Sequence, residues 1–354
     1  MKPKGIVVGM SGGVDSTIAA GILSAAGYRV VGVTLRFHDR ARSKDLPPSC
    51  CDDRLIDRCR RFCARAGIAH RVIDVEREFA ETVVRDFVEE YRAGRTPNPC
   101  VVCNEKVKFP ALLSIADRLG CEKIATGHYA KIVREGGRVF LASASDGDKD
   151  QSYFLYRVPV GILRRTLFPL GTVFKETVRE AAASLGCETE SESQDICFLS
   201  DGDLRRFLRG RIATRAGEVV DREGRMLGTH EGAELYTIGQ RKGFGIAGQT
   251  ALYVAGIDTG RNRVILAPRE HVHHIGARCG RLKLRRRELG SSLTAKIRYR
   301  RPAAEVVGLD RRRGGLEVRF REAQWAVTPG QSLVLYDGGV VVGGGVIEEA
   351  IENE

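Results

Sequence analysis

Hydrophobic positions divide the amino-terminal half of the chain into short apolar runs and longer segments of helical spacing. Residues 6–8, 28–37, 71–75 and 121–126 are runs rich in Val and Ile that read as buried strands. Between them, residues 17–27 form an Ala/Ile/Leu helix closed by Gly27. Leu55, Ile56, Cys59, Phe62, Cys63 and Ala66 recur at helical spacing before Gly67, and Phe79, Val83, Phe87, Val88 and Tyr91 mark one face of a helix before Gly94. Further helices are predicted from Val101 to about Leu119 and over 174–186, with a hairpin around Gly136-Gly137. Strands alternating with helices predict a parallel sheet covered on both faces, with ligands beyond the carboxyl ends of its strands.

The texture changes beyond Asp201. Glycines become frequent, helical periodicity fades, and residues 201–277 read as a small mixed linking domain. From Arg278 short strands alternate with period two. Ala295, Ile297 and Tyr299 oppose Lys296, Arg298 and Arg300, and Leu316, Val318 and Phe320 oppose Glu317, Arg319 and Arg321. This predicts an antiparallel barrel with a basic outer face. The expected architecture is α/β: a parallel-sheet domain over 1–200, a central domain over 201–277 and a β-barrel over 278–354.

Composition narrows the partners. The net charge is +12, of which +8 lies in residues 201–354, so a polyanion such as nucleic acid is the expected partner. No apolar run approaches the roughly 20 residues of a membrane helix, and Met1-Lys2-Pro3-Lys4 leads directly into the first strand, so no membrane partner and a cytoplasmic location are expected. Ten cysteines then argue for thiols with metal or redox chemistry and against a disulfide framework. Cys59 and Cys63, one helical turn apart, read as small buried hydrophobes, and Cys121, Cys187 and Cys279 as core or bystander residues. Cys50 and Cys51 lie in a polar loop over 38–52, and Cys100-x-x-Cys103 follows the stiff segment Arg95-Thr96-Pro97-Asn98-Pro99.

The candidate chemistry begins at Gly9-Met10-Ser11-Gly12-Gly13-Val14-Asp15-Ser16, between the first strand and the first helix. Glycines let backbone N–H groups approach an oxyanion, and the helix adds unpaired N–H groups and the positive end of its dipole. The loop lacks the Lys-Ser/Thr pair of a Walker A motif and the G-x-G-x-x-G of a dinucleotide fold. Ser-Gly-Gly-x-Asp-Ser resembles the PP-loop of the ATP pyrophosphatases, which cleave ATP between the α- and β-phosphates and adenylate a carbonyl oxygen.

Further motifs follow in order: Arg95 to Pro99 with Cys103, Ala125-Thr126-Gly127-His128-Tyr129, Lys149-Asp150-Gln151-Ser152-Tyr153-Phe154-Leu155, Asp195-Ile196-Cys197-Phe198, Thr237 to Gly243, and Pro329-Gly330-Gln331. Together they resemble the bacterial tRNA-specific 2-thiouridylases, over nearly the whole chain. The resemblance implies a PP-loop (adenine nucleotide α-hydrolase-like) domain, a central domain and a C-terminal barrel. It implies ATP-dependent replacement of the 2-oxygen of the wobble uridine of tRNA by sulfur, with Mg2+ and a sulfur-donor protein or sulfide source. It places the nucleotide on the loop Gly9 to Ser16 with Leu35 and Gly127. It assigns the persulfide to Cys197 and the partner nucleophile to Cys103. It directs Asn98, Pro99, Cys100, His128, Lys149, Asp150, Gln151, Arg298, Tyr299 and Gln331 to the tRNA.

One position departs from the pattern: many members carry Asp where this chain has Cys100. Cys100, Cys103 and Cys197 are then a candidate three-thiolate set for a [4Fe–4S] cluster with one open iron. A metal-free persulfide relay and a cluster that presents sulfide both stand at this point. Two other readings compete with thiolation. A PP-loop synthetase that adenylates an acid or amide and transfers nitrogen would need no reactive cysteine pair, and a non-catalytic RNA-binding or metal-sensing protein would show no tRNA-dependent pyrophosphate release.

Overall fold

The computed structural model describes residues 4–37, 53–186, 196–199, 204–246, 250–286, 290, 292–312 and 314–352. Cys50, Cys51, Cys187 and Asp195 lie outside the described residues, as does the polar loop over 38–52. The chain divides into two compact units, Met1–Val83 with Cys100–Gly202 and Gly339–Val341, and Val84–Pro99 with Asp203–Gly338 and Val342–Glu354.

The first unit is built on five parallel strands. β1 (Gly5–Gly9), β2 (Arg29–Arg36), β3 (Ala69–Asp74) and β4 (Lys123–Thr126) are followed by a hairpin of β5 (Lys131–Glu135) and β6 (Arg138–Ala142), and then by β7 (Thr166–Leu167). The sheet order is β3-β2-β1-β4-β7. Strand β1 is therefore central, with Gly9 opposite Val33 on one side and Thr126 on the other. The chain moves one way from β1 to β2 and the other way to β4. The crevice at the carboxyl ends of β1 and β4 is thus the topological switch point, where open α/β sheets hold ligands.

Helix α1 (Val14–Ala25) and helix α2 (Asp53–Arg65) cover this sheet through Ala20, Leu23, Cys59, Phe62 and Cys63, which pack with Ile6, Val8 and Met10. Gly27 and Gly67 end the two helical segments with positive φ, as helix C-caps require. The hairpin turns on Gly136 and Gly137, both at positive φ, so its two-residue turn has the twist that antiparallel strands favour.

Two helical runs depart from the predicted pattern. Residues 76–92 contain a π-helical turn at Ala80–Val84, and a second π-turn, Asn104–Lys108, follows a short helix at Pro99–Cys103. The helix after the proline segment therefore starts earlier than predicted. Pro99 occupies the first turn, where its missing N–H costs nothing. The π-turn places Asn104 inward, and its amide donates to the Phe154 carbonyl at 3.1 Å.

The second unit holds a four-stranded mixed sheet and a barrel. Strands β8 (Gly217–Val220), β9 (Met226–His230), β10 (Leu252–Asp258) and β11 (Arg263–Pro268) run in the order β10-β11-β8-β9. Strands β12 (His273–Leu284), β13 (Leu293–Lys296), β14 (Ala304–Arg312), β15 (Gly315–Trp325), β16 (Ser332–Asp337) and β17 (Val340–Ile351) follow. Their order is β12-β15-β14-β13-β16-β17, and pairing of β12 with β17 closes six antiparallel strands into a barrel. Ala277, Ala295, Leu316, Val318, Phe320, Leu335 and Ile347 fill its interior.

The expected alternation holds at Leu316, Val318 and Phe320 but fails after Lys296, where β13 ends and Arg298-Tyr299 enter a bend. The basic outer face is also less basic than its sequence. Arg321 makes two bonds to Glu305 at 2.6 and 2.8 Å, and Arg319 pairs with the buried Glu317 at 3.2 Å. Among the described residues no helix is long and apolar enough to cross a membrane.

Candidate functional site

The loop after β1 is held open by its own hydroxyls. Ser16 Oγ donates to the Gly13 carbonyl at 3.0 Å and accepts from the Ser11 amide at 3.2 Å, while Thr17 Oγ1 donates to the same carbonyl at 3.1 Å. Gly12 lies at φ +80°, and a Cβ there would stand 2.8 Å from the Leu55 carbonyl and Cβ. Gly127, directly after β4, is pressed against the first turn of α1: its Cβ would lie 2.7 Å from the Asp15 carbonyl carbon and the Ser16 nitrogen. Each glycine is required by a close backbone approach, and together they leave a backbone-lined cradle at the switch point. Leu35 is buried near the end of β2. The structure thus brings Gly9, Met10, Ser11, Gly12, Gly13, Val14, Asp15, Ser16 and Gly127 together at the carboxyl ends of β1 and β4.

Asp15 is the carboxylate of the loop. Its Oδ1 accepts from Lys175 Nζ at 2.6 Å and from the Tyr129 hydroxyl at 2.8 Å. Lys175 is buried, and its amide is in turn fixed by Asp146 Oδ2 at 2.9 Å. A lysine in the first turn of the helix Lys175–Ser184 opposes the helix dipole, and the ion pair with Asp15 compensates. Lys175 was not among the residues picked out from the sequence. That misplaced charge was the signal that could have found it. Where Mg2+ accompanies the nucleotide, Asp15 is the carboxylate in the cradle able to meet it.

The two key thiols are anchored independently in this unit. Cys103 is buried at the end of the helix Pro99–Cys103. Downstream of it Phe109 stacks on His128 with 5.9 Å between ring centroids. Cys197 is half-buried beside Phe198, whose ring meets Phe79 edge-on at 5.7 Å; Phe79 meets Phe37 at 4.9 Å, one residue beyond β2. No three His, Cys, Asp or Glu side chains among the described residues form a group able to hold a metal ion. Cys100, Cys103 and Cys197 all lie among them, and the three-thiolate set finds no support in their arrangement. Among the described residues the remaining thiols, Cys59, Cys63, Cys121 and Cys279, are buried in the core. Burial pushes Cys59 up and Cys63 up to about 12, and it raises Cys279 to about 12 as well.

The residues directed to the tRNA divide between the units. In the first, His128 accepts or donates through Nδ1 with Thr126 Oγ1 at 2.8 Å, and burial, with Lys108 nearby, holds its pKa well below 6.5. Asp150 is buried, and its carboxylate accepts from the amides of Ala144 and Ser152, both at 3.1 Å, and from the Ser152 hydroxyl at 2.9 Å. Gln151 braces Tyr129 by accepting from its amide at 3.0 Å. Asp150 and Gln151 therefore shape the turn that presents Lys149.

In the second unit, Gln331 donates to the carbonyls of Thr96 and Pro97 at 2.9 and 3.0 Å, which pins the segment carrying Asn98 and Pro99. Arg298 donates to the Ile238 carbonyl at 3.2 Å and to Thr328 Oγ1 at 2.6 Å, and Tyr299 is half-buried beside it. Here too the polar atoms hold the protein's own backbone.

Comparison with known proteins decides the family. Family models for the tRNA methyl transferase HUP domain, the tRNA methyl transferase PRC-barrel domain and the aminomethyltransferase β-barrel domain match residues 4–201, 205–268 and 282–347. The tRNA-specific 2-thiouridylase MnmA of Geotalea uraniireducens is 41% identical over 365 residues, covering 100% of this chain and 97% of its own. The MnmA of Syntrophotalea carbinolica is 43% identical over 357 residues, covering 98% of this chain and 99% of its own. The chain belongs to the tRNA-specific 2-thiouridylase family.

A 2-thiouridylase of this family is a sulfurtransferase that thiolates tRNA and uses ATP. Among solved structures the likeness is loose. A 4-thiouridine synthetase–RNA complex with bound ATP matches 52% of this chain and 41% of that one, at 16% identity and a TM-score of 0.34.

Proposed function

We propose that the protein replaces the 2-oxygen of the tRNA wobble uridine by sulfur, with ATP as activator and Cys197 as sulfur carrier. What supports this reading is the family together with the presence, in one compact unit, of the glycine loop at the sheet's switch point and of Cys103 and Cys197. Oxide is a poor leaving group, so the uridine carbonyl must be activated. Its O2 attacks the α-phosphorus of ATP, the α–β bridging bond breaks, and pyrophosphate leaves. The loop Gly9 to Ser16 stabilises the departing anion through backbone N–H groups.

Sulfur enters as a persulfide on Cys197, delivered by a donor. The Cys103 thiolate attacks Cys197 Sγ, the S–S bond breaks, and hydrosulfide is released as a Cys103–Cys197 disulfide forms. Hydrosulfide adds at C2 of the activated uridine, and AMP leaves with the former 2-oxygen. A dithiol reductant returns the disulfide to two thiols. Asn98, on the segment pinned by Gln331, is suited to pair with a base edge, and His128 and Lys149 to contact the RNA. Salt-sensitive binding of tRNA follows from the basic surplus.

The decisive experiment incubates tRNA, ATP, Mg2+ and a persulfide donor with the full-length protein and analyses the digested nucleosides by mass spectrometry. The expected product is 2-thiouridine at the wobble position together with pyrophosphate. Pyrophosphate without thiolated nucleoside would point to a synthetase of another kind, and neither product would leave a binding protein.

A further inference from the structure

One cleft in the first unit adjoins the phosphate cradle and carries cationic side chains that the chemistry above does not use. It has a volume of about 440 Å³ and lies between the start of α1 and the outer face of α2, with Gly12, Val14 and Thr17 on one wall and Arg58, Arg61 and Arg65 on the other. The arginines are three and four residues apart, so they share one face of α2. Like charges one turn apart repel and weaken a helix, an arrangement that becomes favourable when an anion sits between them.

Two details join this face to the phosphate cradle. Arg58 Nη1 donates to the Gly12 carbonyl at 3.3 Å, which ties α2 to the loop. Gly12 and Val14 belong to both the cradle and the cleft wall. Arg61 and Arg65 are exposed and have no hydrogen-bond or ion-pair partner among the described residues. Asp57, on the same helix, is engaged by Arg60 at 2.8 Å.

The loop itself carries no cationic side chain, and Lys175 is bonded to Asp15. Backbone N–H groups with one divalent cation still leave part of the negative charge of a pyrophosphate uncompensated. The geometry points to the Arg58–Arg61–Arg65 face as an oligophosphate site that receives the pyrophosphate end of ATP and guides the product out. This inference rests on the ATP-cleaving reading of the loop.

The test is titration calorimetry of the full-length protein with inorganic pyrophosphate, then with adenosine, and gel-shift titration with tRNA. Wild type is compared with the Arg61→Ala/Arg65→Ala double variant and with Arg65→Glu, after thermal melts show both variants folded. Both side chains are exposed, so the fold should tolerate their loss. The expected result is a rise of about tenfold or more in the pyrophosphate dissociation constant, with adenosine and tRNA affinities within twofold of wild type. An unchanged pyrophosphate affinity in both variants overturns the site. So does a loss confined to tRNA, which would make the face a track for the RNA backbone. A wild type that binds pyrophosphate through these arginines yet never thiolates tRNA would overturn the reaction and keep the site. A wild type that thiolates with both variants unaffected would do the reverse.

Discussion

Lys175 Nζ and Asp15 Oδ1 meet at 2.6 Å although 160 residues separate them in the chain. The contact ties the helix that follows the sheet to the first turn of α1. It also fixes the carboxylate beside the phosphate cradle, with the Tyr129 hydroxyl as second donor. Because Asp15 is about a third exposed, at 35%, solvent screens the pair, and its main effect should be on geometry. Lys175→Met is expected to lower kcat/KM for ATP by about tenfold or more, with a modest loss of stability of about 1–2 kcal/mol. Asp15→Asn combined with Lys175→Met should regain part of the melting temperature and none of the activity. Steady-state kinetics with ATP as varied substrate and thermal melts of both variants beside wild type check this.

Gly127 is a sharper case, because the obstacle is backbone. A methyl group there would sit 2.7 Å from the Asp15 carbonyl carbon and the Ser16 nitrogen, and 2.9 Å from the Asp15 oxygen. No rotamer can relieve such a clash; β4 and α1 must separate. Gly127→Ala is expected to cost about 1–3 kcal/mol of stability and to weaken ATP binding by more than the stability loss alone explains. Urea unfolding and equilibrium nucleotide binding would show it. A variant as stable and as tight as wild type would mean that α1 is free to shift.

These two positions mark how far the sequence could be read. The loop Gly9 to Ser16 was legible because glycines, a preceding apolar run and a following helix are local signals. Its partners were not. Nothing near Lys175 indicates that its side chain reaches Asp15, and strand order β3-β2-β1-β4-β7 is set by packing that no local window records. The barrel was visible from period-two runs such as Leu316 to Phe320, yet β13 stops at Lys296 because Arg298 turns inward to Thr328 and the Ile238 carbonyl. Sequence resemblance directs Asp150 and Gln331 to the tRNA and says nothing of their neighbours within the protein. In the fold their polar atoms satisfy backbone groups, which is a property of the neighbours and not of the residue type.

Gln331 should accordingly act through the segment it pins. Its amide donates to two successive carbonyls, of Thr96 and Pro97, and Gly330 at φ +91° brings the two strips of backbone together. Gln331→Ala removes both bonds and is expected to raise KM for tRNA by about three- to tenfold while nucleotide binding stays unchanged. Gln331→Glu should be worse, since a carboxylate would face two carbonyl oxygens. Kinetics with tRNA and with ATP as the varied substrate separate this from a general loss of fold.

His128 gives the protein a pH dependence with a definite sign. Burial, with the nearby charge of Lys108, depresses its pKa well below 6.5 in the folded state. Below pH 6.5 the unfolded chain binds a proton that the folded chain refuses, so stability falls as pH decreases from 6.5 toward the folded pKa. The slope is at most about 1.4 kcal/mol per pH unit. Melting temperatures measured from pH 5 to pH 7.5 should fall toward acid in wild type and less steeply in His128→Asn. Equal slopes would place the acid sensitivity on other groups.

The two thiols differ in what their loss should leave behind. Without Cys197 there is no sulfur carrier, so Cys197→Ser is expected to form no 2-thiouridine while tRNA-dependent pyrophosphate release continues. Without Cys103 the carrier can still be charged but not discharged. Cys103→Ser should therefore accumulate a protein heavier by one sulfur, located at Cys197 by peptide mass spectrometry. Cys100→Ser separates the relay from a third-thiolate role, and activity close to wild type is expected because the described residues assemble no three-thiolate group. If Cys103→Ser instead thiolated tRNA at the wild-type rate, sulfur would have to leave Cys197 by direct attack of the persulfide on the activated base. A second transfer step would then need a reductant and not a neighbouring thiol.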